Sequence, residues 1–160
     1  MAARKPKVDI KPEDEQRVEK LLCFAVYSTA HAFTRAYKPI LDKLGLTYPQ
    51  YLAMLVLWEK DDMPVKAIGE QLDLDSGTLS PLLKRLEAAG LIVRRRHRDD
   101  ERQVLVSLTP KGAEMKKEVG PIWSEIGRAV GCDLEDVIAL RDTLHRVRKN
   151  LTDAASELHD

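Results

Sequence analysis

The feature that most constrains this chain is a change of hydrophobic period between Val65 and Leu108. Apolar residues first recur at three- and four-residue spacing, as Ile68 and Leu72 and then as Leu79, Leu82, Leu83 and Leu86. They then contract into two short runs, Leu91-Ile92-Val93 and Val104-Leu105-Val106-Ser107-Leu108. This pattern predicts a short helix after Pro64, a second helix capped by Asp75 and stopped by Gly90, and a β-hairpin. The intervening RRRHRDDERQ is too polar to be anything but the hairpin tip. Helix, helix and basic hairpin in this order describe a winged helix-turn-helix. The fold class is therefore mainly α with a small β wing.

The flanking segments are helical by the same criterion. Val18, Leu21, Leu22, Ala25, Val26, Thr29, Phe33, Ala36, Tyr37, Ile40, Leu41 and Leu44 form one stripe, predicting a long helix from about Glu13 to a stop at Gly45. Pro39 lies inside it as a kink or break. A second helix runs from Tyr48 to about Lys60 and packs through Leu52, Leu55 and Val56. After the hairpin, a helix from Pro110 carries Met115, Val119, Ile122, Ile126 and Ala129 and bends at Gly120-Pro121. A last helix, capped by Asp133, carries Leu134, Val137, Ile138, Leu144, Val147 and Leu151.

The apolar stripes of the first and last helices are too long for one small winged-helix core to cover, and such surface rarely stays exposed. A homodimer is expected. The organisation reads as a flexible basic arm (1–12), a main domain (13–152) and a tail (153–160). Within the main domain, 46–109 form the DNA-binding lobe, and 13–45 and 110–152 form the dimerisation helices.

Composition excludes other classes. With 160 residues, 44% hydrophobic and 32% charged, the balance is that of a soluble globular chain. A mean hydropathy of -0.33 and the lack of a long apolar run argue against a membrane span. No apolar core follows the N-terminal charges, so no secretory signal is read. Cys23 and Cys132 are too far apart for a metal knuckle or a disulfide framework, and a reducing cytoplasm is expected. The four histidines show no ligand spacing, and no metal or cofactor is expected. Formal net charge is zero, so contact with double-stranded DNA needs a local basic patch.

Such a patch is present. Around the start of the Asp75-capped helix, Ser76 and Thr78 offer hydroxyls and Gly77 permits close backbone approach, while free N–H groups suit a phosphate. Ser76, Ser80 and Lys84 share a face opposite the leucines, with Arg85 beside them. The hairpin region concentrates Arg94, Arg95, Arg96, Arg98 and Arg102, cations for a DNA backbone or a minor groove. Asp100 is placed to steer the Arg102 guanidinium through a charge-assisted hydrogen bond. A charged hairpin alone is as readily a solvated surface; its position after two short helices favours the interface.

AIGEQLDLDSGTLSPLLKRLEAAGLIVRRR followed by DDERQVLVSLTPKG resembles the MarR family of winged-helix transcription regulators, over about residues 15–152. The Asp100-x-Arg102 wing and the LTPKG segment are its more specific features. The resemblance implies a homodimer with interlocked first and last helices and a pseudo-palindromic operator. It also implies that Ser76, Thr78, Ser80 and Lys84 face the major groove and Arg102 the minor groove. Pro81 departs from helical propensity inside the recognition helix.

Cys23, taken by itself, reads as a buried small hydrophobe on the first helix. Together with Tyr27, Tyr37, Tyr48 and LTYPQYLAMLVLWE, it resembles the organic-hydroperoxide-sensing OhrR branch. The resemblance makes Cys23 a peroxide sensor that tyrosine hydroxyls hydrogen-bond, and makes Cys132 a resolving cysteine by position. About three turns into its helix, Cys23 would gain little from the helix dipole, so phenol donors would have to stabilise its thiolate. On one continuous helix over 15–38, Tyr37 is about 21 Å from Cys23. Their contact would require a second subunit.

The resulting expectation is a repressor, not an enzyme, that releases DNA when organic hydroperoxides oxidise Cys23. One alternative is a regulator that binds a phenolic or other small ligand at the dimer interface, with Cys23 structural. A thiol peroxidase and a helical adaptor without DNA binding are the remaining readings. The first lacks a peroxidase signature around Cys23, and the second leaves the arginine-rich hairpin unexplained.

Overall fold

The computed structural model describes residues 17–98, 100 and 102–157; the basic arm over 1–12 lies outside them. The chain divides into two compact units between Glu118 and Val119.

The first unit opens with a 3-10 turn, Val18–Lys20, followed by α1, Leu22–Leu41. The helix does not extend upstream through the whole apolar stripe. Leu21 is extended (φ -83, ψ 126) and lends no side-chain cap. Helical spacing upstream of a start that no capping residue marks conceals the boundary. Pro39 lies within α1 without ending it, and Gly45 (φ 67) terminates the 3-10 turn Asp42–Leu44 that follows.

α2, Tyr48–Glu59, starts at a capping box in which Gln50 N–H donates to the Thr47 hydroxyl and Thr47 N–H to the Gln50 side chain (2.8 Å). It packs against α1 and against three later elements, α3 (Val65–Leu72), α4 (Ser76–Ala88) and β3 (Val104–Leu108), so Tyr51, Ala53, Met54, Val56, Leu57 and Trp58 are all buried. Leu52 and Leu55, expected to anchor it, are only half-buried. A helix enclosed on several sides has no single inner stripe from which its core can be read.

Next come β1 (Met63–Pro64), α3 (Val65–Leu72), α4 (Ser76–Ala88), β2 (Ile92–Arg96) and β3 (Val104–Leu108). The strands form an antiparallel sheet in the order β1-β3-β2, with Met63 opposite Val106 and Arg96 opposite Val104. β1 was not expected, because two residues are too few to show a period. Ile68, Leu79, Leu83, Leu86, Leu91, Ile92 and Val106 fill the core beneath α4. α5, Pro110–Met115, ends in a turn over 116–119, so the helix expected to bend near Gly120-Pro121 is interrupted instead.

In the second unit, α6 (Gly120–Val130) buries Ile122 and Ile126 and stops at Gly131 (φ 68). Asp133 carbonyl accepts from Val137 N–H at 3.0 Å and opens α7, Leu134–Glu157. α7 continues through 153–157, which were expected to be a tail, and none of its residues is buried. No described helix is long and apolar enough to cross a membrane.

Candidate nucleic-acid interface and thiol site

The N-terminus of α4 is organised by one residue. Asp75 Oδ1 accepts from Thr78 N–H at 2.9 Å and Oδ2 from the Thr78 hydroxyl at 2.8 Å. These bonds, the hydroxyl first, hold the Asp75 carboxyl below its ordinary value of 3.8. The Thr78 proton is thus committed to the cap, and its oxygen keeps the capacity to accept. Ser76, Thr78, Lys84 and Arg85 are exposed and Ser80 is half-buried, opposite the buried Leu79, Leu82, Leu83 and Leu86.

The other end of α4 is clasped, which gives LTPKG its physical meaning. Thr109 N–H donates to Leu91 carbonyl (3.0 Å), and its hydroxyl donates to Gly90 carbonyl (2.7 Å) while accepting from Gly112 N–H (3.0 Å). Lys111 Nζ donates to Ala89 carbonyl at 2.9 Å, neutralising the C-terminal end of the helix. Gly112 runs so close that an added Cβ would lie 2.0 Å from Leu91 carbonyl oxygen. Trp58 Nε1 donates to Gly112 carbonyl at 2.8 Å and ties the clasp to α2.

The wing's arginines divide into two groups. Arg94, expected among the DNA-facing cations, is paired with Glu87: Nη2 and Nε lie 2.7 and 2.9 Å from Oε2, and Arg94 N–H donates to Oε1 at 2.9 Å. It still lines the groove shared by Ser80 and Arg102. The Arg94 side chain draws the Glu87 carboxyl below its ordinary value of 4.5. Arg95 pairs with Asp62 at 2.7 Å, and Asp62 also accepts from the Ser107 hydroxyl at 2.8 Å. Toward the tip, Arg96, Arg98 and Arg102 are exposed.

Asp100 serves Arg102 differently from expectation. Its Oδ1 is 3.6 Å from Arg102 Nε, an ion pair too long for a hydrogen bond. Its carboxylate accepts from Arg102 backbone N–H (3.1 Å) and Gln103 Nε2 (3.1 Å), so Asp100 shapes the turn and leaves the Arg102 side chain 96% exposed. Arg102 and Ser80 line one open groove of about 610 Å³, together with Lys66 and Gln103. The wing and the recognition helix therefore face a common concavity.

The thiol residues are dispersed. Cys23 is the second residue of α1 and is exposed, neither buried nor three turns deep. Tyr27 is also exposed, its ring edge-on to His31 at 4.4 Å.

Fourteen residues further along α1, Tyr37 is buried at about 21 Å along the axis, with its ring 4.8 Å from Tyr48 and 5.7 Å from Tyr51. Burial, then Tyr48 and Tyr51, push Tyr37 up to about 12; burial also raises Tyr48 and Tyr51. Within one chain, therefore, Tyr37 and Tyr48 meet each other and not Cys23. Tyr51 was not anticipated, although its place one turn after Tyr48 puts the two on one helix face. Cys132, next to Gly131, is exposed and directs its thiol at Val130 carbonyl (3.7 Å).

A recognition helix beside a cationic wing defines the class: a winged-helix DNA-binding protein. Residues 35–119 match the family described as "Transcriptional regulator SarA/Rot". The chain is 50% identical over 139 residues to the HTH-type transcriptional regulator TtmR of Methylorubrum extorquens (strain PA1), covering 87% of this chain and 71% of the relative. It is 47% identical over 138 residues to the organic hydroperoxide resistance transcriptional regulator of Bacillus subtilis (strain 168), covering 86% and 94%. Reduced AbfR bound to DNA superposes with a TM-score of 0.75 at 32% identity, over 89% of this chain and 99% of AbfR. AbfR of Staphylococcus epidermidis has also been solved overoxidised on DNA and with a disulfide formed. The chain belongs to the winged-helix transcriptional regulators of the MarR/SarA–Rot type and is a DNA-binding transcriptional regulator.

Proposed function

We propose that this regulator is a homodimeric cytoplasmic repressor that releases a pseudo-palindromic operator when an organic hydroperoxide oxidises Cys23. The observation that carries the reading is the placement of the thiol and a phenol at opposite ends of one helix. Cys23 stands exposed in the first turn of α1, and Tyr37 lies about 21 Å along its axis, paired there with Tyr48 of α2. A second copy laid antiparallel along α1 would bring each thiol to the other's phenols. Exposed Leu22, Phe24 and Val26 on α1, and Leu134, Leu140 and Leu151 on α7, supply the apolar surface that such a partner covers. The Bacillus subtilis relative's role in hydroperoxide resistance and the several oxidation states of AbfR support the same direction.

The chemistry follows from a thiolate nucleophile. Its sulfur attacks the peroxide oxygen, the O–O bond breaks, and a sulfenic acid and an alkoxide result; the alkoxide takes a proton to leave as the alcohol. Cys132 of the partner subunit would then displace hydroxide as water and close a disulfide, moving the helices that space the two α4 elements. Ser76, Thr78, Ser80, Lys84 and Arg85 are proposed to meet the major groove, with Arg96, Arg98 and Arg102 on the backbone and minor groove.

The test measures binding to DNA from the gene's own neighbourhood, with and without cumene hydroperoxide, while mass spectrometry follows Cys23. Cys23→Ser should bind DNA like the wild type and retain it under peroxide. A serine variant that releases DNA on oxidation would end this reading in favour of a small ligand as effector. A covalent dimer on non-reducing electrophoresis, absent in Cys132→Ser, is expected if Cys132 resolves the sulfenic acid.

A further inference from the structure

The Tyr51 hydroxyl is buried and has no hydrogen-bond partner among the described residues, while Tyr51 as a whole is 1% exposed. Protein interiors rarely keep a buried donor unpaired, and one that persists calls for a role. Its ring is fixed on two sides, 5.7 Å from Tyr37 and 6.4 Å (edge-on) from Trp58, so the hydroxyl cannot swing out to water without repacking α2. Tyr37 in turn lies 4.8 Å from Tyr48. The phenols influence one another electrostatically: Tyr48 and Tyr51 both raise Tyr37, and Tyr48 raises Tyr51. With Tyr37 pushed up to about 12, the cluster remains a set of proton donors at neutral pH. Donors gathered in this way await an acceptor.

Resting on the hydroperoxide-sensing reading above, we propose that Tyr51 is a positioning residue of the sensor, acting through Tyr37. When Tyr37 donates its hydroxyl proton to the Cys23 thiolate of a second copy, the Tyr37 oxygen becomes a stronger acceptor. The Tyr51 hydroxyl then donates to it, satisfying the orphan and holding Tyr37 in its donating orientation. Tyr51 is too enclosed to touch the peroxide itself. Its contribution is the strength of Tyr37's hydrogen bond to the sulfur, and through that the share of Cys23 present as the nucleophile.

The experiment is a double-mutant cycle on the full-length protein with Tyr37→Phe, Tyr51→Phe and the pair. Two quantities are read: the second-order rate of Cys23 sulfenylation by cumene hydroperoxide, and the pH profile of Cys23 alkylation by iodoacetamide. Tyr51→Phe should slow sulfenylation by about threefold to tenfold, the value of one hydrogen bond, and move the alkylation profile to higher pH. In the Tyr37→Phe background it should change neither. DNA affinity of the reduced protein should hold, since Tyr51 is remote in role from the α4 and wing residues, and the melting temperature should fall by no more than the loss of one hydrogen bond.

Unchanged sulfenylation in Tyr51→Phe would overturn the proposal and leave Tyr51 as packing. So would equal slowing in both backgrounds, which would mean that Tyr51 does not act through Tyr37. If wild-type Cys23 is not oxidised by the peroxide at all, the sensing reading fails and takes this inference with it. If only the cycle fails, the sensing reading survives.

Discussion

The two ends of α4 are held in opposite ways. At its N-terminus the helix relies on Asp75 alone, an exposed cap that engages Thr78 and no other element. At its C-terminus, Gly90 and Leu91 are gripped by Thr109, Ala89 by Lys111, and Glu87 by Arg94 of β2. At this first end the Thr78 hydroxyl and N–H are both committed to the cap, while Ser76 and the Thr78 side chain remain exposed, as the proposed entry into a groove requires. The far end carries the register, fixing α4 against the wing and α5. Order is concentrated where the helix is supported, and side chains stay exposed at the end proposed to meet DNA.

The largest test of this contrast lies in the clasp. Gly112→Ala places a Cβ 2.0 Å from Leu91 carbonyl oxygen, which is backbone and cannot yield as a flexible side chain would. Overpacking of this kind should cost about 3 kcal/mol in denaturant unfolding. DNA binding should fall with it, because α4 and the wing lose their common anchor. A stability within about 0.5 kcal/mol of wild type, the usual range for surface changes, would break the claim that this end is locked.

The wing offers an intermediate test, because one residue type does two jobs there. Arg102→Ala should leave the melting temperature alone, weaken DNA binding about tenfold and lower the salt slope by about one. Arg94→Ala should do the reverse: it strands Glu87 and lowers the melting temperature, with little change in salt slope. Titrating DNA at several salt concentrations for both variants separates the cases. Equal salt slopes for the two would mean that the paired and the exposed arginines are not different in kind.

Much of this frame was legible in the sequence because it is written in short-range signals. Asp75, Gly90, Thr109 and the four inward leucines of α4 act within a turn or two of themselves, and period and capping rules read them directly. The partners of Arg94 and Arg95 were hidden for the opposite reason. Glu87 belongs to the preceding helix and Asp62 precedes β1, and nothing local marks either as an arginine's acceptor. The start of α1 was obscured because its apolar spacing persists through Val18 and Leu21 while the backbone at Leu21 is extended. At the proposed thiol site the residue types were visible in Cys23, Tyr37 and Tyr48. The burial that makes Tyr51 an orphan donor depends on how α1 and α2 pack, which no single segment records.

The smallest effect is expected at the open end, and it is a matter of pH. Hydrogen bonds from the Thr78 hydroxyl and N–H hold the Asp75 carboxyl below its ordinary value, so the folded form prefers it ionised. A lowered carboxyl contributes stability that is complete above the unfolded value of 3.8 and is lost as pH falls through the lower folded value. Asp75→Asn keeps an oxygen for Thr78 N–H, because asparagine caps nearly as well, but removes the titration and the second acceptor. At pH 7 the variant should therefore melt close to wild type, less affected than Gly112→Ala. Between pH 5 and pH 3 it should lose less stability than wild type, the remainder of its loss including the Glu87 carboxyl that Arg94 holds low. Parallel melting curves for the two proteins over that range would show that the reading end does not depend on the charge of its cap.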